Sequence, residues 1–154
     1  VEAGLSTVLS GQILKRKRNK GMNILVIVAN PREGSFNNAI AQRVQQTLRE
    51  MGHSVLYHDL YRVGFGPLLT AAELPKDCVV DPGIMEYWGE LRSSDGIVII
   101  HPNWWGQPPA ILKGWIDRVI RPGIAYEFRE GDDGEGVPLG LRAGKKALVW
   151  KRFS

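Results

Sequence analysis

Apolar positions along this chain alternate between two rhythms. Residues 23–29 (NILVIVA) are apolar almost throughout and β-branched at four places, the pattern of a strand covered on both faces. A polar, proline- and glycine-marked stretch follows. Ile40, Val44, Leu48 and Met51 then recur at helical spacing between Arg43, Gln45, Arg49 and Glu50, which predicts a helix near 37–51 ended by Gly52. Residues 54–58 read as a second strand. From 59 to 81 no period survives Gly64, Gly66, Pro67 and Pro75, and so long an excursion in a compact domain is more often functional or packed than empty. Asp81-Pro82 reads as a helix cap followed by proline at the first helical position, with Ile84, Tyr87, Trp88 and Leu91 as the buried face. Residues 96–100 (GIVII) predict another buried strand and 108–121 a third helix closed by Pro122-Gly123. A short extended piece at 125–128, a GDDGEG turn and a strand at 146–150 complete the pattern. Strands alternating with helices imply an α/β domain with a parallel sheet wound on both faces.

In such sheets ligands bind outside the carboxyl ends of the strands, and two of the loops there are unusual. The first, Asn30 to Asn37 (NPREGSFN), joins a buried strand to a helix start, where unpaired N–H groups favour an anion. Ser35 can cap the helix or bond a phosphate oxygen, Asn37 adds an amide, Gly34 permits close approach and Arg32 supplies charge. The loop is neither a GxGxxG nor a Walker sequence, so it serves equally well as an ordinary capped helix start. The second loop, His101 to Pro109 (HPNWWGQPP), sets two adjacent tryptophans, Trp104 and Trp105, between prolines and Gly106. Such a pair can wall a planar aromatic ligand, or plug the end of the sheet as core. A phosphate cradle beside an aromatic slot describes a flavin site.

Charge and composition narrow the partners. The chain has 154 residues, 20 Lys+Arg against 16 Asp+Glu, and a formal net charge of +4. The excess sits in residues 1–21, where KRKRNK follows a mildly apolar start; residues 22–154 carry fifteen basic and fifteen acidic side chains. The body therefore has no general mandate for a nucleic-acid backbone. The order of charge and apolar residues is the reverse of a secretory signal, so residues 1–21 are expected to form a basic flexible leader outside the fold. No window of about 18 apolar residues exists for membrane insertion. A single cysteine, Cys78, fits a reducing compartment such as the cytoplasm. The three histidines, His53, His58 and His101, lack metal-ligand spacing, so no metal site is expected. Lys113, Asp117, Arg118 and Arg121 read as the wet face of their helix, and Cys78, with no flanking basic cluster, as an inert thiol rather than a redox sensor.

Three segments carry a family resemblance. SFN at 35–37, DLY at 59–61 and HPNWWGQPPAILKGWIDRV at 101–119 closely resemble the flavodoxin-like NAD(P)H:quinone oxidoreductases, which include the animal quinone reductases and the bacterial modulator of drug activity B proteins. The resemblance runs from Met22 to about Trp150 and continues through GIAYEF and GKKALV. It implies a flavodoxin-like doubly wound sheet in the order 2-1-3-4, within a flavin-binding domain spanning 22–154. It implies hydride transfer from NAD(P)H through FAD, with FMN as the alternative, to a quinone or similar small aromatic acceptor in a homodimer. Asn30, Ser35, Phe36 and Asn37 would contact the phosphate and ribityl or adenosine side of the cofactor. Pro102, Asn103, Trp104, Trp105 and Gly106 would hold the isoalloxazine. Tyr126 and Phe128 would wall the substrate pocket from the partner subunit, and Lys113-Gly114-Trp115 would pack behind the flavin loop near the dimer interface. Asn30 stands where animal members have histidine, and Phe128 where they have tyrosine.

The family's fourth strand leads to a Thr/Gly-rich loop and to Tyr and His residues implicated in hydride transfer, whereas this chain reads Trp150-Lys151-Arg152-Phe153-Ser154. The domain is therefore expected to be incomplete at its C-terminus, with a fifth strand and the last helices missing, and no catalytic residue is assigned. A regulatory flavodoxin-like subunit of a membrane transporter and an inactive truncated product are the alternative readings.

Overall fold

The structure, a computed structural model, describes residues 21–75, 78, 80–127, 139–140 and 144–153. The leader before Gly21, Phe128 and the GDDGEG turn lie outside them. In chain order the elements are β1 (Asn23–Val28), α1 (Phe36–Glu50), β2 (Ser54–Asp59), a single 3-10 turn (Ala71–Glu73), α2 (Pro82–Ser93), β3 (Gly96–Asn103), α3 (Ala110–Val119), β4 (Tyr126–Glu127), β5 (Leu139–Gly140) and β6 (Lys146–Phe153). Four strands form one parallel sheet in the order β2-β1-β3-β6, and β4 pairs with β5 antiparallel. The expected order 2-1-3-4 is thus observed, the fourth parallel strand being β6.

Alternation along β1 divides the core. Leu25, Ile27 and Ala29 face one side, where Ile84 and Leu91 of α2 and Leu112, Trp115 and Val119 of α3 pack against them. Ile24, Val26 and Val28 face the other, against Ala41, Ile40, Val44 and Leu48 of α1. Because both faces are covered, β1 has no polar side to show, which is why its sequence does not alternate. Each such side chain removed from water contributes about 1.5–3 kcal/mol.

The helix ends follow local chemistry. Asp81 caps α2 through Gly83 N–H at 2.8 Å, with Pro82 at the first helical position. Past α1, Gly52 takes a φ of 83°, and His53 N–H reaches back to the Leu48 carbonyl at 3.0 Å.

Two strands run further than their apolar runs. β3 continues through His101, Pro102 and Asn103, pairing with Lys151, Arg152 and Phe153 of β6. The ladder to β1 ends at Val28 opposite Ile100. Beyond that point one side of β3 has lost its neighbour, so a proline without an N–H is tolerated there. Likewise KRF extends β6 rather than beginning a loop.

The excursion between β2 and α2 is packed, not loose. The Glu73 carboxylate, at the end of the 3-10 turn, receives two hydrogen bonds from the Arg118 guanidinium and two from Thr70. Arg118 Nη1 also donates to the Gly66 carbonyl at 2.6 Å. Gly114 of α3 lies so close under Pro67 that a Cβ there would run into the Pro67 backbone. Arg118 thus leaves the wet face expected for it, while Lys113 and Asp117 form an exposed pair. Arg121 donates from Nη1 to the Cys78 sulfur at 3.4 Å.

Candidate functional site

β1 and β3 are adjacent and parallel in the sheet, and residues at and beyond their carboxyl ends frame one cavity of about 540 Å³. From the first loop and the start of α1 come Asn30, Arg32, Gly34, Ser35, Phe36 and Asn37; from β3 and beyond come Pro102 and Trp104. Arg152 of β6 completes the wall.

The first loop is built by amide side chains. Asn30 is buried; its Oδ1 accepts from Arg32 N–H at 2.9 Å and its Nδ2 donates to Asn37 Oδ1 at 3.0 Å. Ser35 caps α1, its Oγ accepting from Asn38 N–H at 3.3 Å and donating to Asn38 Oδ1 at 2.8 Å. Asn38 in turn donates to Asp59 at 3.4 Å, and Asp59 also receives the N–H groups of Tyr61 and Arg62. The DLY segment therefore braces the cradle from β2. Gly34 has a φ of 64°, a conformation that favours glycine.

One group in this network is left over. Asn37 is 5% exposed, yet its Nδ2 has no hydrogen-bond partner. A buried amide without an acceptor costs about 1–3 kcal/mol. Lying at a helix N-terminus beside Ser35, it suits an anionic oxygen in the cavity.

The second loop is a two-residue hairpin. Trp104 and Gln107 exchange backbone hydrogen bonds at 3.0 and 2.9 Å, and the residues between them, Trp105 and Gly106, have φ of 53° and 81°. The turn leaves the Trp104 ring 38% exposed beside the cavity and drives the Trp105 indole fully into solvent. Asn103 is buried with its Oδ1 unpartnered. Neither Asn103, Trp105 nor Gly106 lines the cavity. Neither ring plugs the sheet end as core; the fully buried tryptophan is Trp115, in α3.

Of the remaining expected residues, Tyr126 is half-buried in β4 opposite Gly140, away from the cavity lining, and Phe128 lies outside the described residues. His101 is buried and donates from Nδ1 to the Pro102 carbonyl at 2.7 Å, a local arrangement that leaves it no evident part in chemistry. Near the cradle, burial raises the Tyr57 phenol above 10.0, reinforced by the Asp59 charge and opposed by Arg62; burial alone raises Tyr61. Neither phenol is a base near neutral pH. No group of three His, Cys, Asp or Glu side chains among the described residues could hold a metal ion, and none of the described helices is long and apolar enough to cross a membrane.

Arg152 had no signal in the sequence. Its place depends on β6 continuing past the apolar run and on the pairing that sets it opposite Pro102.

A model of the flavodoxin-like fold matches residues 22–150. The chain belongs to the flavodoxin-like fold family. Among relatives in this family, an uncharacterized NAD(P)H oxidoreductase of Haemophilus influenzae is 38% identical over 114 residues, 72% of this chain and 56% of that protein. The crystal structure of Smu.1420 from Streptococcus mutans superposes with a TM-score of 0.73 at 33% identity, covering 84% of this chain and 67% of that one. The NAD(P)H:quinone oxidoreductase from Methanothermobacter marburgensis gives 0.72 at 29% identity, covering 87% and 66%. This flavodoxin-like chain spans a little over half the length of the curated relatives it matches.

Proposed function

We propose that the chain is the flavin-holding part of an NAD(P)H:quinone oxidoreductase. The observation that carries the reading is one cavity lined both by a helix N-terminus with an unpaired buried amide and by Trp104. These residues fit a flavin nucleotide. Ser35, Asn37 and the first N–H groups of α1 would take the phosphate end, and Asn30 would fix Asn37 in place. Phe36 and Pro102 would lie along the ribityl side, with Trp104 against the isoalloxazine. Asn103, Trp105 and Gly106 would act through the hairpin that orients Trp104. FAD is the form the resemblance favours.

When bound, the flavin supplies the chemistry, passing two electrons and a proton as hydride from NAD(P)H to a quinone. The chain's own contribution is to hold the ring system in one orientation, which converts two encounters into ordered ones. A homodimer, with Tyr126 and Phe128 reaching the partner's acceptor pocket, is the assembly the resemblance implies. The cytoplasm, where NAD(P)H is the reductant, is the expected location. The names of the Haemophilus and Methanothermobacter relatives support the donor, and the latter the acceptor.

The test is reconstitution of the full chain with FAD or FMN, followed by NAD(P)H oxidation with a soluble benzoquinone. Quench of flavin fluorescence on binding and quinone-dependent loss of nicotinamide absorbance are expected. Folded protein that binds neither flavin would overturn the reading, and so would a flavin complex inert to NAD(P)H and quinone.

A further inference from the structure

Arg152 lines the cavity from β6. Its guanidinium carbon lies 4.6 Å from the centroid of the Phe36 ring, at the first residue of α1. Such stacking holds a planar cation in place and leaves its edge N–H groups free. Arg32 lines the same cavity from the first loop, and no carboxylate lines it. Among the described residues neither arginine is paired with an acid; the ion pairs are His58–Glu90, Arg62–Glu33, Lys113–Asp117 and Arg118–Glu73. Two guanidiniums without an acidic partner thus line one cavity with the N-terminus of α1, where the buried Asn37 Nδ2 lacks an acceptor.

We propose that Arg152, braced on Phe36, is a specificity-determining residue that makes this site select phosphate-bearing ligands, monoester or diphosphate, over the same ring system without phosphate. For the identity of the ring the proposal rests on the flavin reading; for the anion it does not. Arg152 lines the same cavity as the Asn37 amide, so an oxyanion bound there can meet donors from α1, the first loop and β6 together.

The experiment compares the full chain with R152Q and R152K by fluorescence titration with FMN and with riboflavin, which lacks the phosphate. Loss of one charge-assisted contact should weaken FMN binding about tenfold in R152Q and leave riboflavin unchanged. The salt dependence of FMN binding should also become shallower, because one screened charge is gone. Equal losses for both flavins, or no loss for FMN, would overturn the proposal.

Isothermal titration with inorganic pyrophosphate separates this from the flavin reading. If the parent chain binds no flavin, the flavin reading falls, and a roughly tenfold weaker pyrophosphate affinity in R152Q still sustains the role of Arg152. Unchanged pyrophosphate binding overturns it. If R152Q fails to fold, R152K decides: it keeps the charge but not the planar stacking, so FMN affinity should fall about threefold with riboflavin intact. Parent-like FMN affinity in R152K would then count against the proposal.

Discussion

Arg118 grips Glu73 across 45 residues of sequence, its Nε and Nη2 donating to the same carboxylate oxygen at 3.0 and 2.8 Å. Both side chains are largely buried, at 13% and 6% exposure. Removing one partner strands the other, which costs about 3 kcal/mol. R118M should therefore lower unfolding free energy by that order in urea denaturation, with E73Q milder because its amide can still accept from Arg118. Equal stability of R118M and the parent would show that the excursion is held by something else.

The same carboxyl gives an acid limb to stability. Burial pushes Glu73 up from its usual 4.5, but hydrogen bonds from Thr70 and Arg118 and the Arg118 charge outweigh it, and the net shift is downward. A depressed folded value means that the stabilisation is complete above pH 4.5 and is lost as pH falls through the folded value. Urea midpoints measured across that window should fall more steeply for the parent than for E73Q. Parallel profiles would refute the assignment.

Gly114 tests the packing of the excursion from the other side. G114A places a methyl group against the Pro67 backbone, which cannot yield as a flexible side chain would. Overpacking of this kind costs about 1–3 kcal/mol, so the melting temperature of G114A should drop. Because Gly114 does not line the cavity, flavin affinity of the folded variant should change little.

The two adjacent tryptophans should behave in opposite ways. W104A removes a wall of the cavity and should weaken flavin binding about tenfold or more, since an aromatic contact with a ring is worth roughly 1 kcal/mol beyond its buried area. W105G removes an indole that is wholly in solvent and relieves a non-glycine residue at a φ of 53°. Its stability by circular dichroism should match the parent or exceed it by roughly 1 kcal/mol. A destabilised W105G would mean that the indole is packed after all.

Ser35 carries both a cap and a candidate ligand contact. S35A should cost about 1 kcal/mol of stability through the lost cap on α1, and it should weaken FMN more than riboflavin. A variant that loses stability but binds both flavins as before would reduce Ser35 to its capping role.

The sheet was legible because burial on both faces leaves unbroken apolar runs at 23–29 and 96–100, and the helices because Asp81-Pro82 and Gly52 are local signals. What escaped was decided by neighbours far along the chain. Nothing near Pro102 says that its strand has lost the β1 ladder, so the strand seemed to end at Ile100. Arg118 looked like a solvated helix residue because Glu73 lies 45 positions away. Trp104 and Trp105 are adjacent in sequence and read alike there; only the hairpin's two positive φ angles separate the ring at the cavity from the one in solvent.

The cradle and the aromatic wall stand on the ends of two directly bonded strands, β1 and β3, locked from Ile24 opposite Gly96 to Val28 opposite Ile100. Their spacing is therefore set by main-chain hydrogen bonds, like the jaws of a calliper, and not by any side chain that lines the cavity. A slip of one residue would move one jaw by about 3.3 Å and exchange the side chains that face α1 with those that face α2 and α3. Substitution in the loops escapes that penalty. Such a frame can exchange what it grips at either end while keeping its reach, so ligand preference is free to drift without the fold having to follow.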